Sequence, residues 1–154
     1  MLDNEKLIQK FYSAFQSKDY VTMQGLYHPQ GHFSDPVFTS LNSAEVKAMW
    51  QMLISRGKDL RVDFNNIKAD DKQGSCHWEA WYTFSSTGKK VHNIIDASFE
   101  FSDGLILKHR DVFDFWRWSR QSLGIAGVLL GWSPLLKDKI RATAAAGLRK
   151  FMQQ

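Results

Sequence analysis

An α+β fold follows from three features of this sequence: helical spacing early in the chain, a long run of period-two alternation after it, and hairpin chemistry between the alternating runs. The length of 154 residues fits one domain able to bury a core of its own. With 44% hydrophobic and 23% charged residues, a disordered chain is excluded. Aromatics reach 14%, enough flat apolar side chains to wall a ligand cavity or to fill a dense core.

The elements follow in order. Ile8, Phe11, Tyr12 and Phe15 repeat at helical spacing. Ser17-Lys18-Asp19 ends that helix, and Asp19 can cap a second one running through Tyr20, Met23 and Leu26-Tyr27. His28-Pro29-Gln30-Gly31 reads as a turn and His32–Phe38 as a short strand, with Pro36 confining it to an edge or an end. Asn42 with Glu45 three residues later forms a capping box for a helix carrying Val46, Met49, Trp50 and Leu53. Four strands are then expected: Leu60–Ala69, Ser75–Ser85, Val91–Ser102 and Leu105–Trp116. The intervening turns are Asp71-Lys72-Gln73-Gly74, Ser86-Thr87-Gly88-Lys89 and Ser102-Asp103-Gly104.

Several function classes drop out at once. Cys76 is the only cysteine, so an internal disulfide is excluded, and zinc-ligand spacing is absent. His92 shares a strand face with Asp96, Ser98 and Glu100, which gives no metal triad. Neither a metal nor a cofactor is expected. Met1-Leu2-Asp3-Asn4-Glu5-Lys6 lacks the apolar stretch of a leader, so a cytoplasmic location is the expectation. The net charge of +4 resides in Lys137, Lys139, Arg141, Arg149 and Lys150 less Asp138, and the rest of the chain is neutral. A neutral body with a basic terminal helix lacks the continuous footprint that nucleic acid needs.

The stretch Leu7–Val37, above all Phe33-Ser34-Asp35-Pro36-Val37, resembles the nuclear transport factor 2-like superfamily in its SnoaL-like and ketosteroid-isomerase-related branch. The segment His109-Arg110-Asp111-Val112-Phe113-Asp114-Phe115-Trp116 is similar to the last strand of SnoaL-like proteins. The likeness spans about residues 7 to 116. It implies a cone-shaped, curved antiparallel sheet wrapped by N-terminal helices (residues 1–118), followed here by a helical C-terminal extension (119–154) packed on the same domain.

The resemblance places Asp35 where ketosteroid isomerases hold their base. Those enzymes also need a Tyr and a protonated Asp to hold the enolate oxygen. Their positions fall here on Phe11, with Tyr12 one helical step away, and on Ala97, with Asp96 one residue off. A one-residue offset in a strand reverses the face, so only a bulge returns Asp96 to the pocket. Steroid isomerisation is therefore not expected. Limonene epoxide hydrolases, a related family, use an Arg two residues before an Asp on the strand that here reads Val91-His92-Asn93-Ile94-Ile95-Asp96. No Arg stands there, and Arg110 faces away from Asp111.

Alternation then assigns the pocket. Trp78, Ala80, Tyr82 and Phe84 share one face of their strand, and Phe99 and Phe101 set Asn93, Ile95 and Ala97 inward on the next. Leu107, His109, Asp111, Phe113 and Phe115 form an inward row with two polar members. A carboxylate against apolar walls has a raised pKa and suits proton transfer. SnoaL-like cyclases place an acidic base on this last strand, so the resemblance implies that role for Asp111. The expected catalytic set is Asp111, His109 and Asp35, with Asp111 as the base and His109 its partner. The expected ligand contacts are Asn93, Trp78, Tyr82, Trp50, Phe113 and Phe11. For each there is a plainer alternative: a paired Asp and His closing the cone, an Asp organising the turn before Pro36, and aromatics that are simply core.

Two function classes follow. One is a cofactor-independent acid/base enzyme of isomerase, cyclase or hydratase type, acting on a hydrophobic carbonyl compound. The other is a non-catalytic domain that binds a small hydrophobic ligand or serves as an accessory. A homodimer through the convex sheet face is expected, because the outward row His77, Glu79, Trp81, Thr83 carries a Trp. Leu123–Trp132 is too short to cross a bilayer and is expected to pack over the cone or its mouth. The helix opened by Ser133-Pro134 is expected to turn Leu136, Ile140, Leu148 and Phe151 inward and its basic residues to water. No membrane contact is expected.

Overall fold

The structure is a computed structural model describing residues 3–154. Met1 and Leu2, which open the expected cone domain, lie outside the described residues. Helix α1 (Asp3–Gln16) buries Leu7, Ile8, Phe11, Tyr12 and Phe15, the stripe that its spacing predicts. Helix α2 (Tyr20–Gly25) starts where the Asp19 carboxylate accepts the Thr22 N–H at 3.1 Å. It is shorter than expected, because Tyr27 already belongs to strand β1 (Tyr27–Ser34).

The expected turn at His28–Gly31 is thus strand, and Pro29 and Gly31 have structural reasons to be there. The register against β6 breaks between Tyr27 and His32, and such an irregularity tolerates a missing N–H donor. A side chain on Gly31 would sit 2.9 Å from the His28 carbonyl and 3.2 Å from that of Ile106. The strand ends at Ser34, four residues short of the expected Phe38.

Strand β2 (Leu41–Asn42) leads into α3 (Ser43–Arg56). Both bonds of the Asn42–Glu45 capping box are present at 2.9 Å. Val46, Met49 and Trp50 are buried as expected, whereas Leu53 is exposed and Ile54 takes its place in the core. The remaining strands are β3 (Arg61–Ala69), β4 (Gln73–Phe84), β5 (Lys89–Ser102) and β6 (Leu105–Val112). Asp103 and Gly104 both hold positive φ, at 56° and 72°, which makes the β5–β6 connection a tight two-residue hairpin.

The six strands form one curved sheet in the order β2-β1-β6-β5-β4-β3. It is not antiparallel throughout, since β1 and β6 run parallel. That pairing lays the Asp35 segment beside the strand that carries His109 and Asp111. Strand β6 stops at Val112 rather than Trp116, because the Asp114 side chain accepts the Arg117 N–H at 3.1 Å and opens helix α4 (Phe115–Leu123). Helix α4 runs across residue 118, where the cone was expected to end. Two further helices follow, α5 (Ile125–Leu130) and α6 (Pro134–Met152).

The core lies between the concave sheet face and helices α1 and α3. A smaller cluster of Val91, Phe115 and Trp118, joined by Val37, Tyr82, Phe113 and Ile140, closes one end of that space, here termed the mouth. Helix α6 returns along α3 with Leu148 buried and Phe151 against the core. The stretch Leu123–Trp132 departs from expectation. It does not pack over the cone, and Ile125, Val128, Leu129, Leu130 and Trp132 are all exposed. Gly127 faces inward instead, and a Cβ there would overlap the Ser119 carbonyl oxygen. The helix docks by its glycine side, which turns every large side chain outward. Among the described residues no helix is long and apolar enough to cross a membrane.

Candidate functional site

Strand β6 carries the polar pair, and its alternation is interrupted. Glu100 pairs with Lys108 and Phe101 with Ile106, leaving Leu107 as an extra residue. Ile106 rather than Leu107 is therefore buried, while His109 and Asp111 remain inward and buried. Phe115 leaves the row altogether because it belongs to α4.

His109 and Asp111 sit in a directed chain of hydrogen bonds. Trp50 Nε1 donates to the Tyr27 hydroxyl oxygen at 2.8 Å. That hydroxyl lies 2.8 Å from His109 Nδ1, and His109 Nε2 lies 2.9 Å from Asp111 Oδ1. Trp78 Nε1 also donates to Oδ1, at 3.3 Å. Since Trp50 already fills one lone pair of Tyr27, the Tyr27 hydrogen points at Nδ1 and the imidazole donates from Nε2 to Asp111. This arrangement gives every hydrogen a partner, so we assign it. Burial, the largest influence, pushes the Tyr27 hydroxyl well above its ordinary range and keeps it a donor.

The His109 ring is closely enclosed. Phe99 and Phe33 lie 4.4 and 4.9 Å away between ring centroids, and Phe11 and Trp50 complete the enclosure at 5.7 and 6.2 Å. Of the expected ligand contacts, Trp50, Trp78 and Phe11 thus belong to packed core around the polar pair. Tyr82, Phe113 and Asn93 lie toward the mouth. Tyr82 accepts from Trp118 Nε1 at 2.8 Å, and Phe113 packs on both clusters. Asn93 faces inward, and its amide makes no side-chain hydrogen bond among the described residues.

Asp35 sits just after β1. Its Oδ1 accepts the N–H groups of Val37 at 2.7 Å and Phe38 at 2.6 Å, the turn-organising role open to an Asp before Pro. Its carboxyl is nevertheless pushed up to about 7, first by burial and then by the Asp111 charge, against the lowering pull of the two N–H groups and Arg141. Two carboxylates on neighbouring parallel strands therefore feel one another. Arg141 reaches this loop from α6, with Nε donating to the Pro36 carbonyl at 2.9 Å. Arg141 was expected to face water; it clamps the Asp35 turn instead.

Tyr12 is a further unexpected member. It is fully buried, its hydroxyl has no hydrogen-bond partner among the described residues, and burial together with Asp111 holds it well above its ordinary range. One helical step beyond Phe11 did not turn it away, because α1 lies flat enough on the sheet to bury both rings.

Asp96 points outward and pairs with His77 at 2.8 Å, with no bulge between β4 and β5 to reverse it. The outer face also joins His77 and His92 through Glu79, at 3.0 and 2.6 Å. The two histidines do converge on a carboxylate there. Among the described residues, though, no three His, Cys, Asp or Glu side chains are arranged to hold a metal ion. Trp81 lies between Arg61, 4.0 Å above its ring, and a stacked His92. His28 is half-buried and meets Asp103 at 3.3 Å. A groove of about 930 Å³ runs along this outer face, lined by Lys68, Ser98, Glu100, Lys108 and Arg110 among others.

A curved six-stranded sheet backed by N-terminal helices is the fold of the nuclear transport factor 2-like superfamily. Within it the chain belongs to the SnoaL-like domain family, whose model matches residues 8–109. Among solved structures it resembles an LEH-like epoxide hydrolase of M. tuberculosis (TM-score 0.65, 18% identity, 87% of this chain and 95% of that one covered). It is also similar to IdmH, a proposed polyketide cyclase from Streptomyces antibioticus (TM-score 0.64, 20% identity, 78% and 97% covered). A third likeness is to a Catenulispora acidiphila protein of ketosteroid isomerase-like fold, solved with trimethylamine (TM-score 0.67, 9% identity, 83% and 97% covered). At these identities the likeness is one of fold. A comparison with curated proteins returns no match.

Proposed function

We propose that this chain is a cofactor-independent acid/base enzyme that moves a proton on a hydrophobic carbonyl compound. The observation that carries this reading is the Asp35 carboxyl, held at about 7 beside Asp111 at an aromatic mouth. A group that titrates near neutrality exchanges protons most effectively there. Both N–H bonds to Asp35 fall on Oδ1, which leaves Oδ2 to take a proton from substrate. Asp111, already bonded to two donors, is the neighbour that raises Asp35, and His109 positions it. The base role that strand alternation favours for Asp111 thus passes to Asp35. In place of the isomerase donors, the inward Asn93 amide is the group available to hold an enolate oxygen. Tyr82 and Phe113 supply apolar wall.

The test is a pair of variants scored on a panel of hydrophobic carbonyl compounds. Asp35→Asn is expected to lower kcat by about two to four orders of magnitude, the range for a general base, with ligand binding retained. Asp111→Asn is expected to move the rising limb of the pH–rate profile to lower pH, because the charge that raises Asp35 is gone. Turnover unchanged in Asp35→Asn refutes the assignment. The ring enclosure of His109 favours a second reading, a domain that binds an apolar ligand without chemistry. That reading stands if no carbonyl or epoxide substrate is turned over while apolar ligands raise Tm.

We also infer a homodimer paired through the outer sheet face, where Trp81 stands among charged neighbours. Sedimentation at micromolar concentration is expected to give the dimer mass; a monomer alone rejects it.

A further inference from the structure

The tail presents its apolar side chains to solvent in one place. Ile125 is 80% exposed, Leu129 62%, Trp132 74% and Leu135 80%. A soluble surface carries single exposed apolar residues freely, but a contiguous group of this kind marks an interaction site. The display is built into the local sequence. Gly127 and Gly131 occupy the side that meets α4, so α5 seats against Ser119 with no large side chain between them. Trp132 is fixed in place, its Nε1 donating to the Leu129 carbonyl at 2.8 Å. Ser133 then caps α6 by accepting the Leu135 N–H at 3.2 Å.

The surroundings of this tip are basic. From residue 115 to 140, around the tip, Arg117, Arg120, Lys137 and Lys139 stand with a single acid, Asp138. Lys89 joins them, its side chain lying against Gly124 at the start of α5. A second copy of such a surface would be repelled by its own charge. An anionic bilayer is complementary on both counts. Its acyl boundary takes the Leu and Ile side chains, its interface suits Trp, and its headgroups attract Lys and Arg. The run is too short to span, so it lies in the interface.

We propose that α5 with Trp132 and Leu135 is a membrane-docking tip that inserts into the headgroup region of an anionic bilayer, with Lys89, Lys137 and Lys139 as its collar. This departs from the expectation of no membrane contact.

The experiment is sedimentation of the full chain with phosphatidylcholine vesicles, with and without phosphatidylglycerol, at low and raised salt. The expected result is partition onto the anionic vesicles that weakens with salt. The double variant Leu129→Ser/Trp132→Ser is expected to bind at least about tenfold more weakly, since buried apolar groups drive insertion. Lys137→Gln and Lys139→Gln are each expected to weaken binding about fivefold. Brominated lipid is expected to quench the wild type more than Trp132→Phe. All of these side chains are exposed or peripheral, so the variants keep the wild-type Tm. Three results overturn the proposal: no partition onto anionic vesicles, partition that survives the double variant, or self-association that the double variant abolishes. The last would make a second copy the occupant.

Discussion

Trp50 and Trp132 are the same residue with opposite fates, and their surroundings explain why. Trp50 stands on a helix whose inner face is large and apolar, so it goes inward and its indole N–H finds Tyr27. Trp132 follows a helix whose inner face is glycine, so the bulky residues are left on the outside. Hydrophobicity alone therefore does not fix burial. Where the small residues sit decides which side of an apolar helix meets the protein.

The largest test of that contrast is Trp50→Ala. It removes a packed ring and orphans the Tyr27 bond, and is expected to cost about 3–5 kcal/mol in urea unfolding. Gly127→Ala comes next, at about 3 kcal/mol in the same measurement, because a methyl there meets backbone rather than a flexible side chain. Asp35→Asn probes the place where core and tail meet. The folded carboxyl is raised from 3.8 to about 7. The stability linked to that raised value is complete below pH 3.8 and lost as pH climbs through about 7. Asn lacks this loss, so the variant is expected to gain roughly 2 kcal/mol on the wild type above neutrality and little under acid conditions. Thermal melts across that range give the sign. Trp132→Ala closes the series with a change within about 0.5 kcal/mol, as for any exposed side chain. A large loss there would mean the tip is structural, and the contrast with Trp50 would fail.

Local chemistry was the most legible part of the sequence. The Asn42–Glu45 capping box, the Asp103-Gly104 hairpin and the inward phase of His109 and Asp111 each depend on neighbours a few residues apart. The segment His28–Gly31 misled, because Pro29 and Gly31 carry turn signals while the strand they belong to is set by β6, far along the chain. Asp114 shows a missed local signal: an N-cap residue ended the alternation two residues before Trp116. At the site, Asp35 and Asp111 were readable one by one. Their mutual influence was not, because it arises from the parallel β1–β6 pairing. Tyr27 was read as the end of a helix, so its link between Trp50 and His109 could not be seen. Arg141 looked like one more basic residue on a solvated helix face.

The Arg141–Pro36 bond spans 105 positions in the chain. At ribosomal rates of about 5–20 residues per second, the turn holding Asp35 waits roughly 5 to 20 seconds for its clamp to be made. The sheet and its first helices can assemble in that interval with the mouth still ajar.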